Sequence, residues 1–219
     1  MIDQKNIDYK AELIRKGIHL CSLSIPVVYY FISRDQALRI LVPITVAFLV
    51  VDLLRYYHKP TAQIFYRIFG VLLRTHEHDG ESKRLNGATH VLVSATICVI
   101  IFPKLIMLTC FAILIISDSA AALIGRRFGR HKFLSKSAEG SAAFFISALI
   151  VVLFSPKLFH SPGEFGIAAI AAAVGTIIEA ASIRIDDNLS IPISIGAVMW
   201  FLYLIFYPSA YLQSYVFAR

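Results

Sequence analysis

The sequence is poor in charge. Of its 219 residues only 16% are Asp, Glu, Lys or Arg, against about a quarter in a soluble domain, while 58% are hydrophobic. That shortage excludes a water-soluble single domain, and also a disordered chain, which needs the opposite balance. Cysteine is scarce as well. Cys21, Cys98 and Cys110 all lie in apolar runs, without CxxC spacing. No disulfide scaffold is encoded, and buried small hydrophobes are the expected state. The GxxxxGK[ST] loop, a strand-borne GxGxxG, HExxH and GxSxG are all missing, so any nucleotide site lies outside the common soluble folds. No repeat or low-complexity linker divides the chain, which reads as one domain over residues 1–219.

What is present is apolar sequence in long runs. A bilayer core takes about 20 mostly apolar residues, and seven segments approach this: 18–33, 36–54, 87–102, 105–124, 141–156, 164–184 and 191–208. The fold class expected is all-α, a polytopic helix bundle of about seven transmembrane helices. Residues 1–17 read as an amphipathic N-terminal helix without a cleavable leader. Residues 55–86 read as an interfacial loop, whose 61–73 segment is too short to span and carries Arg67, so it is expected to lie at the surface. The Gly- and Ala-rich run 166–183 permits close helix approach and is expected at the bundle centre.

The net charge of +7 follows topology and implies no nucleic-acid partner. With seven spans, sixteen Lys and Arg fall on the N-terminal side of the membrane and five on the other. That asymmetry puts the N-terminus in the cytoplasm, in a cell membrane expected to be the bacterial inner membrane. Asp52, Asp118, Glu179, Asp186 and Asp187 fall near the cytoplasmic ends of their spans. Intramembrane acids are costly and mark function, so one cytoplasm-facing site is the simplest expectation.

The strongest local pattern runs from Asp118 to Ser141. An acid on an apolar helix is followed by Gly125 and Gly129, then Arg126, Arg127, Arg130, Lys132 and Lys136, then Glu139, Gly140 and Ser141. Basic side chains suit phosphate oxygens. Glycines let backbone amides approach an anion, and the helix opening at Gly140 and Ser141 adds amides of its own. Asp118 and Glu139 suit a divalent cation bridging those phosphates. The basic count alone is explained by topology; the acid–glycine–basic–acid–glycine order favours a nucleotide triphosphate loop over 125–140, with Ser137 included.

Three weaker patterns accompany it. Glu179 precedes Asp186-Asp187-Asn188; adjacent acids repel unless compensated, so a metal site is favoured over a polar turn in which Asp187 or Asn188 caps the next helix. Glu12, Arg15, Lys16 and His19 share one helical face, and spacing alone favours an exposed salt-bridged stripe. Asn86 is read as a helix cap and His90 as a hydrogen-bonded core residue, with site roles open to both. His76-Glu77-His78-Asp79 reads as solvated.

Taken together and in order, these motifs resemble the CTP-dependent lipid kinases: dolichol, phytol and farnesol kinases and the yeast-type diacylglycerol kinase. That family is related to phosphatidate cytidylyltransferase. The resemblance implies a membrane enzyme using CTP and Mg2+ to phosphorylate a lipid alcohol. Its implied catalytic residues are Asp118, Lys136 and Glu139. Its implied metal ligands are Asp118, Glu179, Asp186 and Asp187. Nucleotide contacts are implied from Asn86, Gly125, Arg126, Arg127, Gly129, Lys132, Lys136, Ser137, Gly140, Ser141 and Asn188. Glu12, Arg15, Lys16, His19 and His90 are implied as substrate or structural residues. The ending Asp186-Asp187-Asn188-Leu189-Ser190-Ile191-Pro192, without a Gly-His-Gly-Gly stretch, favours the kinase over the cytidylyltransferase. A non-catalytic lipid transporter is the third reading. The bundle is compatible with a homodimer.

Overall fold

The protein was analysed as a computed structural model, which describes residues 2–57, 63, 85–182 and 185–208. All of the expected surface segment 61–73 but Gln63, most of the 55–86 loop, the His76–Asp79 tract and Arg184 lie outside the described residues. The described helices are α1 (Ile2–Cys21), α2 (Ser24–Phe31), α3 (Arg34–Leu54), α4 (Gly87–Ile101), α5 (Lys104–Phe128), α6 (Ala138–Phe154), α7 (Pro162–Ala181) and α8 (Asp187–Phe206). A two-stranded antiparallel hairpin, β1 (Lys132–Phe133) and β2 (Lys136–Ser137), joins α5 to α6.

Polar residues at the ends of apolar runs set the boundaries. Ser33 accepts from the Gln36 amide at 3.3 Å while Gln36 accepts from the Ser33 amide at 2.9 Å, a reciprocal cap. Asn86 Oδ1 accepts from Thr89 at 2.9 Å and Ser137 Oγ from Gly140 at 3.2 Å. At α8 the cap is Asp186, accepting from the Asn188 amide at 3.0 Å, rather than Asp187 or Asn188. α3, α5, α7 and α8 are long and apolar enough to cross a bilayer, and α4 and α6 are shorter apolar helices. Pro43 and Pro192 sit inside α3 and α8, as membrane helices tolerate. The chain is a helical membrane protein.

The expected first span, 18–33, is not one helix. It is divided at Ser22–Leu23 between α1 and the eight-residue α2. Together they still run along α5: His19 approaches Asp118, beyond its middle, and the Ile32 carbonyl accepts from Lys104 Nζ at 2.9 Å at its start. Arg34 meets the Ile100 carbonyl at that same far end.

α5, and not the 166–183 run, is the most enclosed of the long apolar helices. Met107, Phe111, Ile113, Leu114 and Ile115 are fully buried there. Large apolar groups on every side need neighbours all round, whereas small residues serve one close contact. Gly175 of α7 faces Ile195 of α8, where an added Cβ would come within 2.7 Å of Cγ1. At the far end Glu164, fully buried, accepts from the amides of Leu158 and Phe159 at 2.9 and 2.8 Å and from the Tyr203 hydroxyl at 2.8 Å. It pins the α6–α7 loop to α8.

Candidate functional site

At the opposite end of the bundle the ionisable residues converge. Helix periodicity puts Glu12, Arg15, Lys16 and His19 on one face of α1, and that face lies on α5. Lys16 pairs with Asp118, and His19 Nε2 lies 3.7 Å from the same carboxylate. Glu12 pairs with Arg15 and, across the interface, with Arg126 at 3.1 Å. The expected exposed stripe is therefore overturned: Glu12 is 2% and Lys16 6% exposed. Buried charges of this kind hold only when paired. The partners come from about a hundred residues further along the chain.

A second cluster is built on the hairpin. Lys136 Nζ donates to Glu179 Oε1 at 2.7 Å and to Asp187 Oδ2 at 2.9 Å, tying β2 to the end of α7 and the start of α8. Burial alone would depress the ammonium; Asp187 and Glu179 outweigh it and hold Lys136 above its ordinary value. Asp118 lies near enough for its charge to act on Lys136, Glu179 and Asp187, so the two clusters are one charged region. Ser135 fastens the turn to α7, its amide donating to Ala180 O and its hydroxyl to Ala181 O, both at 3.0 Å.

Asp186 closes the region from the other side. Its Oδ1 accepts from Asn188 Nδ2 at 2.8 Å, and its Oδ2 lies 4.0 Å from His90 Nδ1. His90 is partly buried and its Nδ1 lies 3.1 Å from the Asn86 carbonyl. Asn86 in turn donates its amide to Asp52 at 2.7 Å, and Asp52 pairs with Arg55 at 2.8 Å. Sequence reading placed Asp52 at this end without giving it a function; its role is to hold the entry to α4. The only advance signal is its i,i+3 spacing to Arg55.

Several expected roles change. Residues 125–128 are helical, so the loop is confined to 129–137. Gly125 and Gly129 do not form an amide cradle: the Gly129 amide donates to Gly125 O at 3.0 Å. These glycines with Gly140 let α5 meet β2 and α6. A Cβ on Gly125 would meet Ser137 Oγ at 3.0 Å and Gly140 Cα at 3.4 Å. Glu139 does not reach Lys136. It accepts from His131 Nδ1 at 2.8 Å and from the Arg130 amide at 3.1 Å, closing the hairpin. Ser141 is buried with an unpartnered hydroxyl. Arg127 and Lys132 are exposed.

Among the described residues no three His, Cys, Asp or Glu side chains are arranged to hold a metal ion. The donor chemistry still suits Mg2+, which takes one or two carboxylates and completes its shell with water and substrate phosphate. Glu179 Oε2 is buried and has no hydrogen-bond partner, so one oxygen of that carboxylate is open to a cation.

Fold and charged region together define a helical membrane protein with a polar centre at one end of its bundle. It is 32% identical over 192 residues to the Uncharacterized protein RP860 of Rickettsia prowazekii, spanning 87% of this chain and 94% of that one; the chain belongs to the same family. It is 28% identical over 194 residues to the Uncharacterized protein MJ1137 of Methanocaldococcus jannaschii, 86% of this chain and 92% of that one. It is 24% identical over 166 residues to the CTP-dependent diacylglycerol kinase 1 of Schizosaccharomyces pombe, 69% of this chain and 74% of that one. No family model matches the chain, and no solved structure matches it.

Proposed function

We propose that the chain is a CTP-dependent lipid kinase, moving the γ-phosphoryl group of CTP to the hydroxyl of a membrane lipid alcohol of the polyprenol, phytol/farnesol or diacylglycerol type. The observation that carries this reading is the meeting of Asp118, Glu179, Asp186 and Asp187 with Lys136 and Lys16 at one end of the bundle. Carboxylates in that density serve a highly charged ligand rather than a fold. The distant likeness to a CTP-dependent diacylglycerol kinase supports the same class.

Phosphoryl transfer needs positioning and charge neutralisation more than covalent help from the protein. The acceptor oxygen bonds to the γ-phosphorus, the bond from that phosphorus to the β-phosphate oxygen breaks, and CDP leaves. The hydroxyl proton passes to a carboxylate of the centre. Lys136 and Arg126 turn from carboxylates to phosphate oxygens when the nucleotide enters. Asp118 with Glu179 or Asp187 would hold Mg2+, which would supply charge neutralisation on the triphosphate. Asn86 and Asn188, beside Asp186, contact ribose or base. The seven passes cross the membrane with the N-terminus and the centre in the cytoplasm. There a soluble donor meets an acceptor whose tail stays in the bilayer.

The test is transfer by purified protein in detergent with mixed lipid alcohols, using γ-labelled and α-labelled CTP in parallel and ATP as control. Label reaching lipid from γ-CTP alone is the expected result. Label from α-CTP with phosphatidate present identifies a cytidylyltransferase, and no transfer from either with any acceptor favours transport.

A further inference from the structure

The hairpin that carries Lys136 has an exposed outer side. Phe128, Phe133 and Leu134 are 55%, 42% and 52% exposed, and Arg127, Arg130 and Lys132 beside them are exposed too. Leu134 has φ of 51°. It is the first residue of a two-residue turn between Phe133 and Lys136, a place where the left-handed conformation favours glycine or asparagine. A branched apolar side chain there is strained and solvent-facing at once, so neither turn formation nor core packing explains it.

Position explains it. α5 is 25 residues long, about 37 Å at 1.5 Å per residue, which exceeds the roughly 30 Å hydrocarbon core. Its final turn and the hairpin therefore stand at headgroup depth. Apolar and aromatic tips interleaved with Arg and Lys are the composition that binds an anionic leaflet surface. Arg127 also lies over the Phe128 ring at 5.3 Å, so cation and ring present together. We propose that residues 127–134 form an interfacial anchor, with Phe133 and Leu134 seated among the acyl-chain ends of the headgroup layer and Arg127, Arg130 and Lys132 on anionic headgroups. Through Lys136 and Ser135 the anchor holds the ends of α7 and α8 near that depth.

The experiment uses the full chain with Trp200→Phe as background and Leu134→Trp as reporter, reconstituted in phosphatidylcholine vesicles with and without phosphatidylglycerol. The lipid is brominated high on the acyl chain, and iodide is the aqueous quencher. Bromolipid should quench the indole at position 134 at least twofold more than iodide, and more strongly when phosphatidylglycerol carries the bromine. Arg127→Ser, Arg130→Ser and Lys132→Ser together should abolish that headgroup preference. Phe133→Trp is the second reporter, used if the first variant loses its native elution profile. Quenching by iodide alone, protection from iodide gained only on adding CTP, or equal quenching from both headgroups regardless of the triple substitution would overturn the proposal.

Discussion

Replacing Lys136 by Met isolates the central electrostatic claim. The ammonium lies 2.7 Å from Glu179 and 2.9 Å from Asp187. At an effective dielectric constant near 20, each contact is worth roughly 6 kcal/mol of gross Coulomb attraction, most of which offsets desolvation. Breaking a buried pair costs about 3–5 kcal/mol because a charge is left uncompensated. Glu179 is 4% exposed but Lys136 is 29% exposed, and solvent screening reduces the expected loss to about 2–3 kcal/mol. Reversible unfolding in mixed detergent micelles measures it. Adding Glu179→Gln to Lys136→Met should recover at least about 1 kcal/mol, a non-additivity typical of direct partners. The pH dependence follows from the raised Lys136 value. A group raised in the folded state stabilises fully below its unfolded value, about 10.4, and loses that contribution as pH rises through the higher folded one. The gap between native and variant should be flat from about pH 6 to 9 and close only above about 10.4. A Lys136→Met protein within about 0.5 kcal/mol of native, or additive behaviour of the two substitutions, would refute the reasoning.

Asp118→Asn should lower phosphoryl transfer by at least about 100-fold and cost about 2–3 kcal/mol, because Lys16 is left buried and charged. Adding Lys16→Met should restore stability but not transfer, which separates the two roles in labelled-CTP and unfolding assays. Gly125→Val should cost about 1–3 kcal/mol by pushing α5 from Ser137 and Gly140. Gly17→Ala, with nothing within 4 Å of the new methyl group, should be neutral or gain up to about 1 kcal/mol; the same unfolding assay compares them. Glu164→Ala should cost about 3 kcal/mol by stranding the Leu158 and Phe159 amides, and the ratio of γ- to α-label transferred should be unchanged.

Helix positions were legible because apolar length and polar ends are local signals. The spans from 36 onward match α3 to α8 to within a few residues, with Asn86 as a cap as its spacing predicts. Spacing also put Glu12, Arg15, Lys16 and His19 on one face, yet could not say whether water or protein covered it. A stripe of charges has the same periodicity whether solvated or paired. The glycines misled for a related reason. A glycine that frees an amide and one that admits a neighbouring helix leave the same letter in the sequence, and only the approach of Ser137 to Gly125 tells them apart. The break at Ser22–Leu23 is marked only by Pro26, which has no amide to donate to the Ser22 carbonyl, and the apolar run across it hides that mark.

By itself, the sequence determined that this is a helical membrane protein, where most of its helices run, and that its acids gather toward one end. Those properties follow from counts and periods, which act over a few residues. Tertiary structure alone decided the pairings: Lys16 with Asp118, Glu12 with Arg126, and Lys136 with Glu179 and Asp187. Each joins residues from separate elements, and an ion pair depends on distances of a few ångströms that only the packing of helices sets.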